Sequence, residues 1–128
     1  MPSVTPSATP PPTPTPPWPG DWLRGVLEIA VLRSLADGGP SYGYAIAVAL
    51  EDAGLGQVKG GTLYPLLGRL EEAGRVAIEW RPGEGGPGRK YYEITASGTA
   101  YLAATVVQWQ SFARTISALL EQPPSPPA

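Results

Sequence analysis

Prolines limit where this chain can form regular structure. Nine of the 17 prolines lie in residues 1–20 and four in residues 122–128. Because proline fixes φ and has no N–H to donate, neither tail can form a regular helix or a central strand. The nine basic and eleven acidic side chains all lie between Asp21 and Glu121. The 128-residue chain therefore has to build one domain from about 100 residues.

The tails have the composition of disordered segments. Residues 1–20 are mostly Pro, Thr and Ser with a single Trp, which favours a disordered, polyproline-like tail. A PxxP ligand that docks in an aromatic groove of a partner protein is a second interpretation of the same composition. Residues 122–128 are predicted to form a disordered tail that follows the last helix.

The absence of two residue types excludes most catalytic chemistry. With no cysteine and no histidine, the chain has no disulfides, no usual structural zinc ligands and no standard neutral-pH general base. We therefore expect no metal, no cofactor and no enzymatic activity. No run of 18 apolar residues could span a membrane, and the N-terminus does not have the pattern of a signal peptide. We expect a cytoplasmic protein without membrane contact.

Capping residues and apolar spacing predict two short helices first. Asp21 is the predicted N-cap of a first helix of about 16 residues that ends at Gly38. Its apolar residues recur every four positions: Leu23, Leu27, Val31 and Leu35. Ser41 is the predicted cap of a second helix, which Gly54 and Gly56 end. Its inward residues are predicted to be Tyr42, Ile46, Leu50 and Ala53.

A third helix with two different faces is predicted to follow. Its apolar residues are Leu63, Leu66, Leu67, Leu70 and Ala73. The opposite face carries Thr62, Pro65 and Arg69. Because Pro65 is tolerated only in the first turn, the helix should begin near Gly61 or Thr62. Its free N–H groups, close to Lys59, suit a phosphate; an ordinary core helix with a threonine cap is the alternative.

The period then changes from helical to two, which predicts a β-hairpin. Val76, Ile78 and Trp80 alternate with Ala77 and Glu79, and residues 90–94 form a second predicted strand. Residues 81–89, rich in Gly and Pro, are predicted to be a long mobile loop. Three helices followed by a hairpin is the winged helix-turn-helix order, in which the third helix enters a major groove. Residues 59–90 carry six basic and four acidic side chains on an otherwise acidic chain, so the basic third would face DNA.

Helical period returns after Thr95, a predicted N-cap, for about 25 residues. A heptad seam with spacing 4, 3, 4, 3, 4 runs along this helix: Leu102, Val106, Trp109, Ala113, Ile116 and Leu120. The face away from the seam is also unusually apolar, at Tyr101, Thr105, Phe112 and Leu119. A helix buried on two sides needs two partners, so the seam predicts a dimer interface, with packing in the chain's own core as the alternative.

Four motifs occur in order along this core: residues 23–28 (LRGVLE), 39–46 (GPSYGYAI), 61–71 (GTLYPLLGRLE) and 89–95 (RKYYEIT). With Gly98 beyond them, they resemble the PadR family of bacterial transcriptional regulators, and the single C-terminal helix resembles its short subgroup. The resemblance excludes both tails, and the Pro-rich N-terminal tail is not a family feature. Gly60 and Gly61 also replace the more polar residues common ahead of the Thr-Leu-Tyr motif.

The patterns and the resemblance imply a mainly α fold with a small β-hairpin. Residues 21–95 would form a winged helix-turn-helix domain and residues 96–121 a dimerisation helix. The resemblance implies a homodimeric, ligand-responsive repressor of a pseudo-palindromic double-stranded DNA operator. In small multidrug-sensing members of the subgroup, a Trp stacks on planar ligands between the subunits, and Trp109 stands where that Trp is expected. A small hydrophobic or aromatic effector at Trp109 is one hypothesis, and plain packing of Trp109 is the other.

Candidate DNA-binding residues follow from these positions. The predicted phosphate or groove cations are Lys59, Arg69, Arg81, Arg89 and Lys90. Thr62, Tyr64 and Pro65 would lie at the exposed start of the recognition helix, and Tyr42 at the start of the second helix. Core packing is an alternative for Tyr64, Tyr91 and Tyr92. At the level of the whole protein, the alternative is a winged-helix adaptor that holds a partner protein with its Pro-rich tail and hairpin.

Overall fold

Five α-helices and a three-stranded sheet make up the described part of the chain, residues 16–83 and 85–123 of a computed structural model. The elements are α1 (Gly20–Arg24), α2 (Leu27–Gly38), β1 (Ser41–Tyr42), α3 (Gly43–Leu50), α4 (Gly60–Glu72), β2 (Val76–Gly83), β3 (Gly86–Ile94) and α5 (Ala96–Glu121). One wider, π-type helical turn, Glu51–Leu55, extends α3. The predicted mainly helical class with a small β element is confirmed.

The predicted tails lie largely outside the described residues, which exclude residues 1–15 and 124–128. The described end of the N-terminal tail contacts the domain, because Trp18 donates its indole N–H to the carbonyl of Gly54 at 2.8 Å. Helix α1 begins at Gly20. Contacts with the domain and helical structure are therefore already present before residue 21, the predicted boundary.

The predicted first helix is two helices, so its predicted length was wrong. The amides of Gly25 and Val26 bond to the carbonyls three residues before them, which tightens the turn and separates α1 from α2. Asp21 does not cap α1; Pro19 occupies that position, and the Asp21 carboxylate pairs with Arg24 instead. The four-residue apolar spacing still identified the packing face, because Leu27, Val31 and Leu35 are buried and Leu23 packs against them.

The predicted cap of the second helix was also wrong. Ser41 and Tyr42 form strand β1, which pairs with Tyr92 and Tyr91 of β3, and α3 begins only at Gly43. No local pattern reveals this strand, since its partner lies about 50 residues further along the chain. Of the four predicted inward residues, Ile46 and Leu50 are buried, Tyr42 is half-buried and Ala53 is exposed. The turn after α3 does end at glycines, with φ of 102° at Gly54 and 80° at Gly56.

Helix α4 begins earlier than predicted. The amides of Thr62 and Leu63 both bond to the carbonyl of Lys59, so Gly60 is the first helical residue and Thr62 is not the cap. Pro65 is consequently the sixth residue of α4, beyond the first turn. It removes only one backbone bond, to the carbonyl of exposed Gly61, which water can reach.

The hairpin is longer and its turn shorter than predicted. Strands β2 and β3 stay paired out to Arg81 with Arg89 and Gly83 with Gly86, so residues 81–89 are mostly strand rather than loop. An irregularity falls between Arg81 and Gly83, at Pro82, whose missing N–H suits a break in the ladder. The sheet order is β1-β3-β2, and β3 is its central strand.

Helix α5 confirms the predicted cap and length. The Thr95 hydroxyl accepts the amide N–H of Gly98 at 3.0 Å and donates to the carbonyl of Gly74 at 2.7 Å. The second of these hydrogen bonds joins the start of α5 to the turn that follows α4. No helix in the described residues has the length and apolar character needed to cross a bilayer.

One core holds the helices and the sheet together. It contains buried side chains from α2, α3, α4, β2, β3 and α5, and the largest fully buried ones are Leu32, Leu35, Ile46, Leu63, Leu67, Leu70 and Val31. At about 2 kcal/mol for each buried aliphatic side chain, this cluster is the main source of stability within the chain.

Candidate nucleic-acid interface

Helix α4 separates a buried face from an exposed face as its sequence predicts. Leu63, Leu66, Leu67 and Leu70 are each at most 5% exposed. Thr62, Pro65 and Arg69 are exposed on the other side. Ala73, predicted to be apolar packing, is exposed at the C-cap. The helix thus has a complete packing face and a second face available to a partner.

The start of α4 combines open backbone with an exposed cation. Lys59 is the N-cap residue, and the amides of Gly60 and Gly61 precede the first backbone bond of the helix. Lys59 and Thr62 line a small groove with α1, next to Arg24. This end of the helix has the N–H groups and positive dipole that favour an anion.

Tyr64 is held partly by packing and partly exposed. Its ring lies over Gly43 at the start of α3, and a Cβ at Gly43 would overlap the Tyr64 ring. More than half of Tyr64, 54%, is nevertheless exposed. Both interpretations of this tyrosine therefore apply: its inner edge packs against α3, and the remainder belongs to the surface.

A groove of about 590 Å³ brings four predicted site residues together. Tyr64 of α4, Arg89 and Lys90 of β3, and Tyr42 of β1 all line it, beside Tyr44. Tyr44 is 71% exposed and was not among the predicted residues, although the Tyr-Gly-Tyr pattern at 42–44 marks it. Arg69, Lys59, Thr62, Pro65 and Arg81 lie outside this groove.

Two of the five predicted DNA-binding cations form ion pairs within the described residues. Lys90 lies 3.6 Å from a Glu71 oxygen, and Arg81 lies 3.5 Å from a Glu79 oxygen. These groups are substantially exposed, so each pair contributes little to stability. Within the described residues, Lys59, Arg69 and Arg89 have no carboxylate partner. Their charge is available to an anionic partner.

Tyr92 is a core residue. It is 4% exposed, and burial raises the pKa of its hydroxyl above 10.0, although the nearby Lys90 acts in the opposite direction. The side chain is therefore neutral and packed at physiological pH. Tyr91, its half-buried neighbour, lies on the other face of the sheet.

The predicted seam on α5 divides into an inner and an outer part. Leu102 is 5% exposed and belongs to the core of its own chain, so we remove it from the predicted dimer interface. Val106 packs against the same core. The remaining seam residues stay accessible: Trp109, Ala113, Ile116 and Leu120. Phe112 and Leu119, 61% and 62% exposed, extend this apolar surface on one side.

Trp109 also lines a mainly apolar cavity of about 570 Å³. The cavity lies between α5 and the start of α2, with Val26 and Ile29 on one wall and Val106 on the other. Arg33, at its edge, pairs with Asp37. This space is large enough for a small aromatic molecule.

Both the sequence and the fold have relatives among known proteins. Residues 31–104 match the family described as "Transcriptional regulator PadR-like family". The chain is similar to the crystal structure of a PadR family transcriptional regulator from Eggerthella lenta, with 39% identity, a TM-score of 0.73, and coverage of 80% of this chain and 88% of that one. A PadR-like transcriptional regulator from Bacillus cereus has 31% identity and a TM-score of 0.71, covering 81% of this chain and all of that one. A Lysinibacillus sphaericus protein, whose name states no function, is 32% identical over 103 residues, 79% of this chain and 94% of its own length.

Proposed function

Because the chain belongs to the PadR-like family of transcriptional regulators, we propose that it acts as a homodimeric, ligand-responsive repressor. Family membership makes it a DNA-binding regulator and not an enzyme. The proposal adds a pseudo-palindromic operator, a dimer formed through α5, and release of DNA when a small aromatic ligand binds beside Trp109. The observation that carries it is the groove in which Tyr64 of α4 meets Arg89 and Lys90 of β3.

In the proposed complex, α4 enters the major groove and the hairpin contacts the neighbouring backbone. A recognition helix needs an exposed face with groups that contact base edges, and Thr62 and Arg69 lie on such a face. Phosphate contacts fix the position of the helix, and Lys59, Arg81, Arg89 and Lys90 are the proposed cations. Tyr42 and Tyr64 complete the surface between the two elements.

The dimer is proposed because the second half of α5 is left uncovered by the described part of the chain. From residue 107 to residue 121 no side chain is buried, yet this stretch carries Trp109, Phe112, Ile116, Leu119 and Leu120. Apolar surface of this extent on one helix favours burial against a second helix. A two-fold arrangement of α5 helices would bury it and place two α4 helices on one duplex, as a pseudo-palindrome requires.

The effector is proposed to bind at the Trp109 cavity. Its walls come mainly from α2 and α5, with Val26 and Leu55 beside them, so a ligand there would change the position of α5 relative to the DNA-binding half. A planar aromatic molecule could stack on the indole of Trp109. Ligand and dimer would then share one residue, which couples effector binding to the separation of the recognition helices.

A mobility-shift experiment tests DNA binding. Duplex DNA from the region upstream of the protein's own gene serves as the probe. Arg69→Ala with Arg89→Ala should weaken the shift by at least about a hundredfold, since a dimer loses four contacts to DNA, two from Arg69 to base edges and two from Arg89 to phosphates. Arg114→Ala removes a positive charge from α5, away from the proposed DNA surface, and should retain binding. Binding by the double variant as strong as that by Arg114→Ala would contradict the proposal.

Fluorescence tests the effector site. Ethidium, a flat aromatic cation, should quench Trp emission in DNA-free protein. Trp109→Ala should remove most of this quenching, while Trp18, Trp22 and Trp80 supply the residual emission. Undiminished quenching in Trp109→Ala would place the ligand elsewhere.

A further inference from the structure

One face of the sheet carries two arginines and two tyrosines side by side. Arg81 of β2 lies directly opposite Arg89 of β3, and Tyr91 of β3 lies directly opposite Tyr42 of β1. Because side chains alternate along a strand and opposed residues share a face, all four project from the same side of the sheet. Two like charges opposite each other repel, so this arrangement needs a stabilising feature.

Each arginine has its guanidinium group over a tyrosine ring. The guanidinium carbon of Arg81 lies 4.3 Å from the ring centroid of Tyr91, and that of Arg89 lies 4.5 Å from the ring centroid of Tyr42. The two rings contact each other, with centroids 5.4 Å apart and planes tilted by 54°. The attraction of a cation to an aromatic face offsets the repulsion and gives each guanidinium group a preferred position.

Stacking leaves the hydrogen-bonding edge of a guanidinium free. The five N–H donors of arginine lie in the plane of the group, whereas a ring contacts its face. A stacked arginine can therefore still donate two parallel hydrogen bonds to a phosphate. A side chain that is already ordered also loses less conformational entropy when it binds.

Arg89 is the better placed of the two for DNA. It is exposed, makes no ion pair within the described residues, and lines the groove beside Tyr64 and Gly68 of α4. Arg81 is half-buried, with 40% of its side chain exposed, and has a Glu79 carboxylate oxygen as a neighbour at 3.5 Å. The pair formed by Tyr42 and Arg89 is consequently the one to test first.

We infer that Tyr42 and Tyr91 are positioning residues of the DNA interface, whose ring faces hold Arg89 and Arg81 ready for adjacent phosphates. This inference rests on the proposed function and goes beyond it, because it assigns the tyrosine rings a role without hydroxyl contacts to DNA. The ring of Tyr42 acts through Arg89 and does not itself contact the duplex.

The first experiment needs no DNA. In NMR spectra of the free protein, ring currents of Tyr42 should displace the δ-methylene protons of Arg89 upfield. Tyr42→Leu should abolish this displacement, and Tyr42→Phe should retain it. An Arg89 spectrum that is the same in all three proteins would overturn the inference whether or not the protein binds DNA.

The second experiment is a double-mutant cycle with a 30-base-pair mixed-sequence duplex at low salt, since phosphate contacts do not depend on sequence. Tyr42→Leu should weaken binding about tenfold, because both halves of a dimer lose the effect, while Tyr42→Phe retains the affinity. In an Arg89→Gln background, Tyr42→Leu should change affinity by less than about twofold. An equal loss in both backgrounds would show that the ring acts without Arg89, and an equal loss with Phe would show that the hydroxyl is the contact.

Arg89→Lys avoids any change to the packed rings. Lysine keeps the charge but has no planar face. The affinity for the duplex should therefore fall, while the dependence of this affinity on salt concentration is retained. An affinity equal to wild type would contradict the inference. Arg114→Gln is the control for an arginine on another surface. If wild-type protein fails to bind the duplex, the proposed function and the DNA role fail together, and the NMR result still decides whether Tyr42 holds Arg89.

Discussion

Two helical glycines show how much a single Cβ atom matters in this protein. Gly98, the third residue of α5, is buried, and a Cβ there would overlap the carbonyl oxygen of Arg75 and lie 2.9 Å from Ile94. Gly68, in the middle of α4, is exposed, and a Cβ there would meet nothing within 4 Å. Gly98 therefore allows α5 to start against the turn after α4, whereas Gly68 packs against no other described residue.

The same substitution should have opposite effects at these two sites. Gly68→Ala should raise the free energy of unfolding by about 0.5–1 kcal/mol, because alanine loses less backbone entropy in a helix. Gly98→Ala should lower it by about 1–3 kcal/mol through overpacking. Urea unfolding at one protein concentration measures both. Effects of the same sign would refute the packing described for Gly98.

Tyr101 makes stability sensitive to alkaline pH. Its hydroxyl donates to a Glu28 carboxylate oxygen at 2.6 Å, and this hydrogen bond, with burial, raises the pKa of Tyr101 above 10.0. The folded state therefore holds this proton more tightly than the unfolded state. The stabilisation is complete below the unfolded pKa and is lost as pH rises through the raised pKa of the folded state.

Tyr101→Phe should lower the free energy of unfolding by about 1–2 kcal/mol near neutral pH, where the hydrogen bond is intact. The variant should also lose less stability than wild type at high pH, because phenylalanine has no hydroxyl proton to release. Tyr92, whose pKa is also raised, accounts for part of the loss of stability that remains. Urea unfolding at about pH 8 and about pH 11 tests this. Parallel losses in wild type and variant would rule out the assigned linkage.

At the scale of elements, α5 performs two tasks along its length. With 26 residues it is about 39 Å long. Gly98, Tyr101, Leu102 and Val106 attach its first part to the core. Its second part presents an apolar side, while Gln110, Ser111 and Arg114 occupy the other side. The division between the two parts explains why one heptad seam contains both core and interface residues.

A charge on the apolar side of α5 should separate the proposed dimer. Ile116→Glu should give a monomer at micromolar concentration, since a buried carboxylate without a partner is costly. Ala118→Glu adds the same charge to the same turn on the opposite side, one turn after Arg114, and should remain dimeric. Light scattering coupled to size-exclusion chromatography reports the mass. A dimeric Ile116→Glu protein would show that the subunits associate through another surface.

At the scale of the whole molecule, charge is unevenly distributed. The chain has a net charge of −2, but residues 59–90 hold six of its nine basic side chains. These residues comprise α4 and nearly all of the hairpin, the elements that line the groove at Tyr64 and Arg89. An acidic body with one basic surface disfavours unspecific adhesion and orients the protein toward DNA.

This distribution predicts a steep dependence of DNA binding on salt. If about four cations per subunit contact phosphates, a dimer should show a slope of about −7 in log K against log salt concentration. Arg69→Ala with Arg89→Ala should reduce that slope by about a quarter, because Arg89 is one of the four proposed phosphate cations in each subunit, while Arg114→Ala leaves the slope unchanged. Fluorescence anisotropy over a salt series provides the slopes. A shallow wild-type slope would mean that few phosphates are contacted.

Local sequence determined the elements whose signals are local. The apolar spacing along α4 and α5 and the threonine cap of α5 needed only neighbouring residues, because a helix places residues three and four apart on one face. The four ordered motifs indicated the family for the same reason. Each motif is a short run of consecutive residues, so it can be recognised without knowing any contact between distant residues.

Only the tertiary structure decided which of these faces meet. Pairing of Ser41 and Tyr42 with β3 converted a predicted helix cap into a strand and brought Tyr42 beneath Arg89. Packing of α5 on α2 placed Leu102 inside the chain and left Ile116 outside. The apolar period identifies the face of a helix that is more stable when it is buried. Whether the same chain or a second copy covers that face depends on where each element ends and the chain folds back. That information lies in long-range contacts and not in the spacing of neighbouring residues.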